Sequence, residues 1–192
     1  MNRERLTAFS DGVIAIIVTI MVLDLKVPHD PSLAALAETG PVFLSYVLSF
    51  IYVAIYWNNH HHFFHLVHRV DGLVLWANMH LLFWISLTPF TTAWMGENHF
   101  AALPTALYGV SLLMPALAWH GMLRSVLRLE GKDSKLAQAI GRDIKGNLTP
   151  PLYLVGVAAA FVDPRIACAF YALVAVIWLV PDRRIERAMP RG

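Results

Sequence analysis

The chain has 192 residues, is 57% hydrophobic and only 15% charged, and has a mean hydropathy of +0.55, whereas soluble domains average roughly 45–50% apolar residues. This composition excludes an ordinary soluble domain, and the single cysteine, Cys168, excludes an intrachain disulfide. The excess of basic over acidic residues gives a pI of 8.8, but the basic residues cluster at the ends of apolar runs, which points to a membrane surface rather than a nucleic acid.

Six apolar stretches can be marked: Phe9 to Leu25, Pro41 to Trp57, Leu73 to Trp94, Phe100 to Leu123, Leu148 to Val162 and Ile166 to Val180. Crossing a bilayer takes roughly 20 apolar residues, with about 17 as the lower limit. The first four meet that limit and the last two fall short. The first, read from Arg5 as RLTAFSDGVIAIIVTIMVLDL, is apolar enough to cross yet carries an Arg, a Ser and an Asp at its entry. On a helical wheel advancing about 100° per residue, Phe9, Gly12, Val13, Thr19, Ile20 and Leu23 all fall within about 60° of Ile16. Ser10 and Asp11 point the other way. A charge in a spanning helix is costly, so Asp11 is expected to have a buried partner and a specific task. The polar motif inside the apolar run, without a small-residue cleavage site, marks a retained span rather than a signal peptide.

Lys26 to Gly40 reads as an outer loop, with Pro28 and Pro31 ending the first helix and Pro41 opening the second. Asp24 either adds negative potential at an outer mouth or pairs with Lys26. The second span leaves through WNNHHHFFHLVHR. His61, His65 and His68 are spaced i, i+4, i+7 and share one helical face, which could hold a metal or haem. The competing reading, favoured by the absence of an accompanying Cys or carboxylate, is an interfacial helix end. The third span carries Asn78 and His80 near its inner end and Pro89 near its outer end, where a kink is expected. Asn78 lies at the depth of Ser10 and Asp11 and is their candidate partner. The fourth carries Pro104 and Pro115, then Trp119 and His120; His80 and His120 read as structural residues. Leu129 to Asn147 is a polar connection. The last two stretches, split by Asp163, Pro164 and Arg165, read as a tight helical hairpin, with a re-entrant pair as the alternative.

Lys and Arg favour the cytosolic side. With the N-terminus inside, only Lys26 and Arg165 fall in outer loops; all other Lys and Arg, including Arg142 and the cluster Arg183, Arg184, Arg187 and Arg191, fall in inner segments. The expectation is one six-span domain over residues 1–192 with both termini cytosolic. No HExxH, GxSxG, phosphate-binding glycine loop or acidic pair occurs inside the bundle, which argues against an enzyme. A cation- or proton-coupled transporter using Asp11 is opposed by the small size, the lack of an inverted repeat and the absence of a second midplane charge.

Arg5, Phe9, Ser10 and Asp11 form RxxxFSD, followed by GVIAIIVTI. This resembles the N-terminal helix of the transmembrane protein 175 family of potassium channels. Tyr56 and Trp57 before His60 to His62, and Asn78, Pro89 and Phe90 in the third span, extend the likeness. The resemblance implies the single-repeat prokaryotic branch: an all-α homotetramer in a prokaryotic plasma membrane, with four first helices around a central pore and no carbonyl filter. By position, Ile16, Ile20 and Leu23 would form apolar rings and Thr19 a hydroxyl layer. Potassium would be the conducted ion, modestly preferred over sodium, with no cofactor. Arg5, Ser10 and Asp11, with Asn78 and a second-helix histidine, would form a network holding the pore helix. The alternative for Asp11, a place in the inner vestibule, is opposed by its wheel angle.

Overall fold

The computed structural model describes residues 2–131, 133–141 and 143–179. Among these residues there is no strand, and the chain order is α1 (Arg3–Leu23), α2 (Leu33–Glu38), α3 (Gly40–Leu66), α4 (Gly72–Ser86), α5 (Thr88–Glu97), α6 (Ala102–Glu130), α7 (Lys135–Ile140), α8 (Ile144–Ala159) and α9 (Pro164–Leu179). Among the described residues four stretches are long and apolar enough to cross a membrane: α1, α3, α4 with α5 taken together, and α6. Lys132, Arg142, Val180 and the C-terminal arginines lie outside the described residues.

The local chemistry of most helix starts is visible in the sequence. Asn2 caps α1 by accepting from the Glu4 amide, and Ser32, Asp71, Ser134 and Asp143 cap α2, α4, α7 and α8 in the same way. Pro41 sits in the first turn of α3, where its missing N–H costs nothing. The kink expected at Pro89 is a break: α4 ends at Ser86 and α5 begins at Thr88 with Pro89 in its first turn. Proline has no N–H for the Ile85 carbonyl, so the ladder is interrupted there.

The apolar stretch Pro41 to Trp57 is only part of its helix: α3 continues through the histidine run, as a shared face for His61 and His65 requires, to Leu66, 27 residues in all, or about 40 Å at 1.5 Å per residue. Two stretches read as connections each hold a short helix, α2 (Leu33–Glu38) within Lys26 to Gly40 and α7 (Lys135–Ile140) within Leu129 to Asn147. The connection after α6 is not a plain polar loop, because α7 forms within it and docks Leu136, fully buried, and Ala139 on the core. Leu136, Ala139 and Ile140 share one helical face, and that face is what the core takes up.

The remaining pair, α8 and α9, has 16 residues each, or about 24 Å at 1.5 Å per residue. They form the hairpin expected around Asp163, which caps the turn by accepting from the Arg165 amide. Small residues set the closeness of this packing. A Cβ on Gly109 would sit 2.0 Å from the Tyr171 hydroxyl oxygen, and one on Gly156 would sit 2.6 Å from Tyr171 Cε1. Tyr171 is fully buried between them and donates to the Thr105 carbonyl. Gly109→Ala is therefore expected to destabilise the bundle by about 1–3 kcal/mol through overpacking, read as a lower melting temperature in detergent, whereas Gly12→Ala, with open space around its Cβ, should not lower it, since alanine is favoured over glycine inside a helix.

Apolar residues from α1, α3, α4, α6 and α7 form one core, and a second, rich in tyrosine, lies where α3, α6, α8 and α9 meet. A buried hydroxyl ladder passes between helices near the second: Thr92 donates to Ser49, which donates to Tyr108. Such bonds satisfy hydroxyls that lipid cannot.

Candidate pore face and its anchoring network

Helix α1 packs against α3, α4 and α5. Leu6, Ser10, Ile14, Ile17 and Met21 are buried, a 3.6-residue period that forms the packing face. The opposite face is open. Ile16 is 58% exposed and Leu23 80%, and Phe9, Ile20, Gly12 and Thr19 are exposed on the same side. Val13 is half-buried at its edge. Thr19 Oγ1 donates to the Ile16 carbonyl at 2.8 Å, so its proton is committed to the helix and its lone pairs face outward.

Behind α1 lies a chain of buried hydrogen bonds. His60 Nε2 donates to Asn78 Oδ1 (2.8 Å), Asn78 Nδ2 donates to Ser10 Oγ (3.0 Å), and Ser10 Oγ donates to the Leu6 carbonyl (2.9 Å). Ser10, His60 and Asn78 are each at most 2% exposed. Since an amide oxygen only accepts, His60 carries its proton on Nε2, and its buried Nδ1 has no partner among the described residues. The chain ties α3 through α4 to the backbone of α1.

The other predicted members of this network are placed differently. Asp11 accepts from Trp57 Nε1 at 3.0 Å, but Trp57 is 44% exposed and Asp11 half-buried, so the partner is not the buried one expected. Asp11 lies off the exposed strip. Arg5 is exposed and makes no side-chain hydrogen bond or ion pair among the described residues. Arg3 anchors this end instead, its Nη1 donating to the Val67 carbonyl at 3.1 Å. Val67 caps the C-terminus of α3, where unpaired carbonyls favour a cation; an arginine within reach of a helix end was the signal available. Phe9 lies on the open face and takes no part in the hydrogen bonding.

The histidine face is broken. Trp57 stacks on His61 and His61 meets His65 edge-on, but α3 ends at Leu66. His68 and Arg69 donate their backbone amides to Glu130 Oε1 at 2.7 Å. Among the described residues no group of three or more His, Cys, Asp or Glu is placed to hold a metal ion. His80 accepts from Trp84 Nε1, and His120 Nδ1 donates to the Ala116 carbonyl. At the other end of α1, Lys26 pairs with Glu97 of α5 rather than Asp24. The hydrogen bond to that carboxylate raises the Lys26 pKa above its ordinary value, though a pair this exposed adds little stability.

Residues 5–89, which carry the α1 signature and the buried Ser10, His60 and Asn78, match the family model described as the endosomal/lysosomal potassium channel TMEM175. A potassium channel from Chryseobacterium sp. (strain P1-3) is 53% identical over 189 residues, covering 98% of both chains. This chain belongs to the TMEM175 family. A potassium channel from Streptomyces collinus is 34% identical over 208 residues, covering 99% of this chain and 100% of its own. In three dimensions, the crystal structure of a lysosomal potassium-selective channel TMEM175 homolog from Chamaesiphon minutus superposes with a TM-score of 0.84 at 28% identity, covering 94% of this chain and 97% of the other. The TMEM175 family is one of ion channels, not an enzyme class.

Proposed function

We propose that four copies of this chain assemble in a prokaryotic plasma membrane with their α1 helices around a central axis, and that the assembly conducts potassium in modest preference to sodium. The observation that carries this reading is the α1 strip itself. Ile16, Ile20 and Leu23 are large, apolar and unpacked while the opposite face of the same helix is fully committed to the subunit core. Fourfold symmetry would turn each into a ring. A ring of isoleucines excludes water, so an ion passes only by giving up part of its hydration shell. Potassium holds its water less tightly than sodium, which sets the direction of selectivity. Thr19, with its proton engaged on Ile16, would offer oxygen lone pairs to replace part of what is lost. No cofactor enters this scheme.

In this reading α8 and α9 complete six spans, their short apolar lengths extended at the inner side by polar flanks, and both termini are cytosolic, supported by the Lys and Arg distribution. Asp11, bonded to Trp57 away from the strip, acts as an anchor rather than a carrier. The decisive measurement is the reversal potential of the reconstituted protein with potassium on one side and sodium on the other. A shift towards the potassium equilibrium potential, with discrete unitary currents from a protein of tetrameric mass, is expected. No current from such a tetramer across several voltages and pH values would overturn the channel reading.

A further inference from the structure

We infer that the notch between the start of α4 and the end of α6 binds an anionic phospholipid whose head group carries hydroxyls, in the leaflet that the proposed orientation makes cytosolic. The notch has a volume of about 330 Å³ and is lined by Asp71, Leu73, Ser125, Arg128 and Leu129. Arg128 and, one turn earlier on the same face of α6, Arg124 are exposed and make no hydrogen bond or ion pair among the described residues. The nearby carboxylates are engaged elsewhere. Glu130 accepts the backbone amides of His68 and Arg69, and Asp71 accepts the Val74 amide at 2.9 Å. Each acid spends an oxygen on backbone donors, and neither forms an ion pair with Arg124 or Arg128, so both guanidinium groups are open to an external anion.

The surroundings grade from charged to apolar. Leu73 is 50% exposed at the mouth, and Trp76, one turn along α4 towards the membrane interior, is 77% exposed, the position and residue type that sit well at a bilayer interface. A free phosphate would use the arginines and leave this apolar wall bare; a phospholipid covers both. Ser125 refines the head group. Its Oγ donates to the Gly121 carbonyl at 2.9 Å, so it can only accept from a ligand, which suits the hydroxyls of a glycerol head group and not phosphate oxygens. Two arginines that form no ion pair among the described residues disfavour a zwitterionic head group, whose ammonium would be left facing them.

The test is native mass spectrometry of the detergent-extracted full chain titrated with phosphatidylglycerol, phosphatidylcholine or inorganic phosphate. Phosphatidylglycerol adducts are expected to exceed phosphatidylcholine adducts at equal concentration. Arg124→Gln with Arg128→Gln should lower phosphatidylglycerol affinity about thirtyfold, the loss of two interfacial cations, while the paired lysine replacements should retain most of it. Equal binding of the two lipids, an unaffected double glutamine variant, or displacement of phosphatidylglycerol by inorganic phosphate would each overturn the site. The inner-leaflet placement rests on the orientation proposed above, but binding scored in detergent does not depend on conduction. A silent channel that keeps the lipid preference would overturn the function and leave the site standing.

Discussion

Ile16→Asn is expected to wet the constriction and raise the sodium current at least about tenfold, since lowering the barrier by about 1.4 kcal/mol is enough for that change. Four amides around the axis would offer oxygens to an ion entering the ring, and water would no longer be expelled between them. Because sodium gains more than potassium from restored hydration, the permeability ratio should move towards unity as total current rises. The neighbouring position supplies the control. Ile17 is 3% exposed on the packing face, so Ile17→Asn would bury an amide among apolar side chains of α3 and α4. Its expected effect is a lower melting temperature without sodium leak, since an unpaired buried polar group costs about 1–3 kcal/mol. Bilayer currents carried by Ile16→Asn with unchanged selectivity would remove α1 from the pore.

The second large effect is expected at Asn78. Asn78→Leu keeps a similar volume but removes the acceptor of His60 Nε2 and the donor to Ser10 Oγ. Ser10 still donates to Leu6, so the main loss is a buried imidazole N–H left without an acceptor, at about 1–3 kcal/mol, with the tie between α1 and α4 gone as well. The expected result is a melting temperature lower by several degrees and altered channel opening. Adding His60→Leu to Asn78→Leu should recover part of the stability, because removing both partners costs less than stranding one. Strictly additive losses in this double-mutant cycle would show that the two side chains are not coupled.

Much of α1 could be read before any packing was known. Its wheel sets Ile16, Ile20 and Leu23 on one face and Ser10 on another because a local period fixes the faces and tertiary contacts do not alter it; that the Ile16 face is the open one is an expectation from the family resemblance, since the period alone fits a packing face as well. Depth along the spans was likewise enough to pair Asn78 with Ser10. Which histidine completes the chain was not, since His60, His61 and His62 lie at one depth and differ only in direction about the α3 axis. The packing rotation of α3 buries His60 and leaves His61 outside against Trp57. Arg3 and Arg5 pose the same problem: two residues apart, they project to nearly opposite sides of α1, and the docking of α1 beside the end of α3 selects Arg3.

Composition and short-range periodicity were enough for the membrane class, the long apolar helices, a disruption at Pro89 and the division of α1 into two faces, but not for the short helices α2 and α7. The partners came from helix packing: Glu97 rather than Asp24 for Lys26, Trp57 for Asp11, Glu130 for the amides of His68 and Arg69, and a core site for the Leu136 face of α7. Each joins residues far apart along the chain, through side chains only a few ångströms long. Such contacts depend on the relative rotation and offset of packed helices, which no local pattern encodes.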